Sequence, residues 1–438
     1  MGIGTSMKLC VYGLWHLGTV TAAGCAAVGH EVVGLDDDAA VIDALQQGQP
    51  PLYEPGLADS LTQGLQTNLR FTIDAADALQ GAAGVWITFD TPVDEEDQAD
   101  VATVVEKITA LFPSLPNESF VLISSQVPVG TTAACEQAYR AAYPQTDVIF
   151  AYSPENLRLG SALDVFLKPD RIIVGTRRPE DRERLLPLLT PITDRIEWMT
   201  TESAEMTKHA INSFLALSVT FINELAAVCE QYGANAREVE RGLKTEQRIG
   251  PKAYVRPGAA FAGGTLARDV AFLQALGEQK SLPMNLMRGL RASNDTHKAW
   301  AWRRLNEELR SLEGRTIAVL GLTYKAGTDT LRRSSAVELA QKIYAAGAIV
   351  KAHDPSMTTL PDELQSVIAL QTTPQEAVRG ADAVVIATEW PDYRQITPDQ
   401  WANWMTTPLI LDAGYFLPNT IGQDTRIHYY AVGLPRHD

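Results

Sequence analysis

Residues 8–13 form a short apolar run, small residues with helical character follow over about 17–28, and a second apolar run at 31–35 ends in Asp36. Strand, helix and strand in that order predict one βαβ unit. Further apolar runs at 84–88, 120–124, 148–151 and 171–174 are separated by helix-length segments. This alternation predicts a largely parallel sheet in a first domain that ends near Trp198.

The period then changes. Between residues 200 and 232, Ala210, Phe214, Leu217, Phe221, Leu225 and Val228 recur at spacings of three and four, the repeat of one helix face. Leu215, Val219, Ile222 and Ala226 mark a second face, so a long helix buried nearly all round is expected, of the kind that joins domains or subunits. Thr200 and Thr201 are candidate caps, and Glu202 and Glu205 fall where the helix dipole favours acids. Residues 250–264, rich in Gly, Pro and Ala, read as an ordered loop. Near Gly314 the alternation resumes, with strands at 316–320, 348–353, 383–388 and 409–412 and a helix at 335–346. The predicted fold is α/β: two Rossmann-like doubly wound domains, 1–198 and 301–438, joined by a helical region, 199–300, with a long central helix.

Composition excludes several classes. A length of 438 residues with 45% apolar content supports two cores. The net charge of −16 argues against nucleic acid as the main partner, because polyanion binding needs basic neutralisation. Any anionic ligand must therefore meet a local basic patch. Cys10, Cys25, Cys135 and Cys229 are scattered without CxxC spacing, which fits reduced thiols and gives no metal site. No segment reads as a membrane span or a signal peptide, and residues 1–6 read as an extended start before Met7. The expected compartment is the cytoplasm, with no membrane partner.

The turn Gly13-Leu14-Trp15-His16-Leu17-Gly18 follows a strand and opens a helix, and Asp36 arrives about 20 residues later, as in a dinucleotide fingerprint. Gly13 serves the tight turn, Gly18 the helix–strand contact, the helix N-terminus the pyrophosphate, and Asp36 the ribose hydroxyls. Acids at Asp36, Asp37 and Asp38 favour NAD over NADP. Trp15, however, stands where the second glycine normally lets the backbone approach the pyrophosphate. The alternative is a structural βαβ unit without a cofactor.

A larger set of runs stands in order along the chain: Tyr53-Glu54-Pro55-Gly56-Leu57, Val127-Pro128-Val129-Gly130-Thr131, Ser153-Pro154-Glu155-Asn156-Leu157, Pro169 to Gly175, Lys208 to Ala216, Gln247-Arg248-Ile249-Gly250, Gly321 to Lys325 and Asp354-Pro355. Together they resemble the UDP-glucose/GDP-mannose dehydrogenase family over nearly the whole chain. The resemblance implies NAD in the first domain, a nucleotide-sugar in the second, and a homodimer through the central helix. In that family two hydride transfers turn a sugar C6 alcohol into a carboxylate, and a cysteine captures the intermediate aldehyde as a thiohemiacetal and then a thioester. By motif position, Lys208 and Asn212, one helical turn apart, match the pair aimed at the developing alkoxide. Glu155 matches the acid that handles a water or the acyl intermediate, and Asp269 the aspartate that orients water. Thr91, Gln126, Arg268 and Arg332 fall among cofactor positions with Gly13, Trp15, Gly18 and Asp36. Arg248, Tyr254, Phe261 and Lys325 fall among substrate positions.

The departures concern the chemistry itself. Residues 257–269 align without a gap to the family's catalytic loop, and Thr265 falls on the cysteine. A thiol with pKa near 8.5 is partly ionised at neutrality, whereas a threonine hydroxyl needs a base, for which Lys208 and Asp269 are the candidates. Gln126 replaces a threonine, Leu159 a glutamate, and Gly414-Tyr415 an Arg-Asn pair, which removes one basic contact. Three readings stand: oxidation of a UDP-glucose-like substrate to the uronate, a single oxidation that releases the 6-aldehyde, and a non-catalytic nucleotide-sugar binder.

Overall fold

The first domain is built on eight strands, most of them of almost wholly buried residues: β1 Lys8–Tyr12, β2 Glu31–Leu35, β3 Leu69–Thr72, β4 Gly84–Ile87, β5 Phe120–Ile123, β6 Ile149–Tyr152, β7 Ile172–Gly175 and β8 Ile196–Met199. In this computed structural model, which describes residues 6–92, 99–155, 157–262, 264–331 and 334–435, they form one sheet in the order β3-β2-β1-β4-β5-β6-β7-β8. The sheet is parallel except where Tyr152 meets Gly175 between β6 and β7. Apolar side chains alternate between two cores, one on each face, so both faces are covered as a parallel sheet requires. The helix His16–Ala27 buries nearly every residue and stays small for a reason. A Cβ on Gly24 would lie 2.2 Å from the Phe166 ring. Strands β3 and β8 escape the sequence reading because β3 alternates buried with exposed positions and β8 is only partly buried.

The second domain has β9 Thr316–Leu320, β10 Ile349–His353, β11 Ala369–Leu370, β12 Ala383–Ile386, β13 Leu409–Asp412 and β14 His428–Ala431, in the order β11-β10-β9-β12-β13-β14. Both sheets thus share one winding, and each reverses direction between its first and fourth strands, where ligands of such folds bind. The turn after β9 repeats the logic of the turn after β1. Gly321 has φ +87° and its N–H donates to His353 O at 2.8 Å, as Gly13, with φ +97°, donates to Leu35 O at 3.0 Å. Asp354 then accepts from Leu322 N at 2.7 Å and Thr323 N at 2.9 Å.

Burial alone would push the Asp354 carboxyl upward, but N–H groups of Thr323, Ser356 and Leu322 and the Ser356 hydroxyl outweigh it and hold the group below the usual carboxylate range. A depressed folded pKa contributes stability that is present above the unfolded value of about 3.9 and is lost as pH falls through the folded value. Asp354→Asn is expected to cost about 1–3 kcal/mol at pH 7 and to flatten the acid limb of the melting-temperature profile. Thermal melts from pH 7 to pH 3 check both effects.

The helix Thr201–Tyr232 begins where the caps suggest, with Thr200 Oγ1 accepting from Ser203 N at 3.2 Å. Its first turns belong to the unit Met1–Ile211 and the remainder to Asn212–Asp438. The expected burial on all sides does not hold. Ala216, Ile222 and Ala226 are fully buried, but Phe214, Phe221 and Val228 are 66%, 50% and 52% exposed, because only one stripe has a core within the chain to pack on. By length and composition this helix could also cross a membrane, contrary to the sequence reading. One of its buried polar groups, Glu205, is satisfied inside the protein, however. Glu205 accepts from Gly130 N at 2.6 Å and Thr132 N at 2.9 Å, which caps the helix Thr131–Ala142.

Candidate active site

The turn after β1 retains the geometry that a dinucleotide needs. A Cβ on Gly18 would fall 1.9 Å from Gly13 O and 2.7 Å from Thr88 Oγ1, and Thr88 Oγ1 donates to Gly13 O at 2.9 Å. Both glycines are therefore required by contact. Trp15 sits just before the helix at φ −72°, which any residue adopts, and its side chain is 46% exposed. A side chain at the second glycine's position is thus accommodated without backbone strain. Asp36 accepts from Leu14 N at 2.7 Å and Asp38 N at 3.1 Å, which orients the carboxylate and still leaves lone pairs for ribose hydroxyls. Thr91 Oγ1 donates to Gln126 O at 2.6 Å, so those two positions are joined at the ends of β4 and β5. These residues fit NAD.

In the same domain Lys208 is 5% exposed, and its Nζ donates to Glu155 O at 2.7 Å and to Glu155 Oε1 at 2.9 Å. Glu155 Oε2 accepts from Leu157 N at 2.8 Å. A buried ammonium is thereby held on a carboxylate that is itself fixed by the following backbone. Glu54, from the Tyr53-Glu54-Pro55-Gly56 run, accepts from Gly160 N at 3.0 Å and Ala162 N at 2.7 Å and meets His16 Nε2 at 3.0 Å. It ties the cofactor turn to the segment after Glu155.

Within the second unit, Asn212 donates through Nδ2 to Asp269 Oδ2, and Asp269 is fully buried. Thr265 opens the helix Thr265–Gln279 and is exposed. Among the described residues no group partners its hydroxyl. Of its two candidate bases, Lys208 is engaged by Glu155 and Asp269 by Asn212. The cysteines offer no substitute nucleophile. All four are buried, and burial pushes each thiol up, Cys135 to about 11.

A pocket of about 230 Å³ lies at the C-terminal ends of β9 and β12, lined by Ala259, Ala262, Thr323, Lys325, Ser334 and Thr388 among others. Ser334 caps the helix Ser335–Ala345 by accepting from Ala336 N. An anion there meets a lysine and a helix N-terminus together. Gly414 carries no side chain because a Cβ would lie 1.8 Å from Glu389 Oε1. Two arginines approach it from elsewhere: Arg237 and Arg256 donate to Gly414 O at 2.6 and 3.0 Å, and Arg237 lies over the Tyr415 ring. Sequence reasoning missed both. Arg248 points into solvent and pairs with Glu246 at 2.9 Å, Tyr254 is exposed, and Phe261 and Arg268 are half-buried. Arg332 lies outside the described residues.

A doubly wound cofactor domain followed by a second doubly wound domain with its own anion pocket is the architecture of an NAD-dependent dehydrogenase of nucleotide-bearing substrates. The UDP-glucose/GDP-mannose dehydrogenase family's NAD binding domain matches residues 7–193, its central domain 202–296 and its UDP binding domain 318–419. The chain belongs to this family. It is 33% identical to the UDP-glucose 6-dehydrogenase of Pseudomonas aeruginosa, over 98% of both chains. Identity to that of Rhizobium meliloti is 34%, over 98% of this chain and all of the relative. A UDP-glucose dehydrogenase structure from Pyrobaculum islandicum superposes with a TM-score of 0.90 at 30% identity, over 99% of both chains. The protein is an NAD-dependent nucleotide-sugar dehydrogenase.

Proposed function

We propose that this enzyme oxidises the C6 alcohol of UDP-glucose or a close analogue towards the uronic acid. The observation that carries this reading is the buried Lys208 ammonium, held at 2.7 and 2.9 Å on Glu155 and one helical turn from Asn212. Two donors on one helix face stabilise an alkoxide as the proton of the C6 hydroxyl leaves. NAD supplies the hydride acceptor. Gly13, Gly18 and Asp36 hold it, with Trp15, Thr91 and Gln126 beside them, and Arg268 and Arg332 match cofactor positions of the family. Lys325, Arg248, Tyr254 and Phe261 contact the substrate, and Arg237 and Arg256 restore the charge that Gly414 lacks.

The unpartnered Thr265 hydroxyl favours a second reading for the later step. Without a thiol, the aldehyde either leaves after one oxidation or adds water to give a gem-diol. The diol's C6–H is a second hydride source, and loss of that hydride and a proton yields the carboxylic acid. The apolar stripe of Phe214, Phe221 and Val228 further supports a homodimer through the central helix, testable by sedimentation of Phe221→Glu.

Incubation with NAD and a panel of UDP- and GDP-sugars tests the assignment. Two NADH per sugar with an acidic product supports the uronate, and one NADH with a hydroxylamine-trapped aldehyde supports early release. Sugar-nucleotide binding without NADH across the panel would leave a binding protein and sink both enzymatic readings.

A further inference from the structure

The loop that leads to Thr265 is gripped by three side chains outside every motif. Asn294, buried in the helix Asn285–Lys298, holds Phe261 by both backbone groups: its Oδ1 accepts from Phe261 N at 3.1 Å and its Nδ2 donates to Phe261 O at 2.9 Å. His297, three residues further on in that helix, meets Gly258 O through Nε2 at 2.8 Å. A carbonyl only accepts, so Nε2 carries the proton. Asn223, buried on the long helix, accepts from Gly258 N at 3.0 Å and donates to Ala259 O at 3.3 Å. Both backbone groups of Gly258, both of Phe261 and the carbonyl of Ala259 are thereby satisfied by side chains.

The composition of the loop explains why it needs them. Residues 257–262 form neither helix nor strand, and apart from Phe261 they offer only Pro, Gly and Ala. Such a segment has little side-chain surface with which to anchor itself, and its backbone groups would otherwise turn to water. Its position makes the grip consequential. Ala259, Ala260 and Ala262 line the pocket that holds Lys325, and the chain then enters the helix of Thr265 and Asp269.

The geometry points to Asn223, Asn294 and His297 as positioning residues that hold this loop in its substrate-binding shape before the nucleotide-sugar arrives. They touch neither substrate nor cofactor and act through the backbone of residues 258–261. A loop already ordered spares binding the entropy of ordering it. The identity of the ligand rests on the function proposed above; the state of the loop does not.

Asn294→Ala and His297→Leu test it, with His297→Gln as the conservative partner because its amide retains an N–H donor. The KM for UDP-glucose is expected to rise about tenfold in the first two, the equivalent of one lost hydrogen bond, with the KM for NAD unchanged and His297→Gln near wild type. Hydrogen exchange of the ligand-free protein gives a readout independent of turnover. The Phe261 amide, protected in the wild type, should exchange faster in Asn294→Ala. Unchanged UDP-glucose KM in both variants, or a parallel rise in the NAD KM, overturns the proposal. So does a Phe261 amide that exchanges as slowly without Asn294 as with it. A wild type inactive on every nucleotide-sugar removes the proposed function instead, and the exchange result still decides the clamp.

Discussion

Lys208→Met is expected to turn over at about a hundredth to a thousandth of the wild-type kcat, the usual cost of removing one preorganised donor to a developing oxyanion. Methionine keeps the apolar stem and deletes only the ammonium. Lys208 is 5% exposed and bonds to Glu155 at 2.7 and 2.9 Å, so the substitution also leaves that carboxylate without its cation. Losing a partner from a fully buried pair costs about 3–5 kcal/mol. Glu155 is 23% exposed on its side chain and keeps the Leu157 N–H, so the stability loss should be smaller. The two effects separate in the double variant Lys208→Met/Glu155→Gln. Its melting temperature should recover while kcat stays below that of Glu155→Gln alone, because relieving an orphaned carboxylate does not restore the donor. Steady-state NADH formation, with NAD affinity measured separately, checks the result. Recovery of kcat in the double variant would mean that Lys208 serves structure alone.

Periodicity announced the parts of the fold that bury the most surface. The runs that became β1, β2, β4, β5 and β9 are continuous and apolar, because strands covered on both faces have no polar side to alternate with. β3, β11 and β14 were missed for the opposite reason: each lies at or next to a sheet edge and shows the exposed or half-buried positions of an edge strand. The long helix was found at nearly its full length, yet its environment was misjudged. Two apolar stripes cannot reveal whether the second meets the same chain or another surface. At the site, the glycine turn was legible because Gly13 and Gly18 answer to contacts within a few residues. Lys208–Glu155 and Asn212–Asp269 join residues 53 and 57 positions apart, and only family position pointed to them. Asn223, Asn294, His297, Arg237 and Arg256 act on backbone, which carries no side-chain signature. A buried Asn on an apolar helix face was the one available hint, since such an amide must find partners.

Thr265→Cys should change what the enzyme makes. If the hydroxyl limits the second oxidation, the variant will yield two NADH per nucleotide-sugar and a uronate where the wild type yields one NADH and a trappable aldehyde. The local structure favours the substitution. Residue 265 is the first of a helix that runs to Gln279, and thiols at helix N-termini lose pKa because the dipole stabilises the thiolate. A cysteine here would ionise readily, unlike Cys10, Cys25, Cys135 and Cys229, which burial keeps protonated. The thiolate adds to the aldehyde carbon to give a thiohemiacetal, hydride loss from that carbon gives a thioester, and water releases the acid and the thiol. Threonine is expected to fail at the first of these additions, because among the described residues nothing takes its proton. Iodoacetamide gives a second measure: it should inactivate Thr265→Cys and spare the wild type. A wild type that already forms two NADH would mean that water alone carries the second oxidation, through the gem-diol, and the cysteine would then change the rate and not the product.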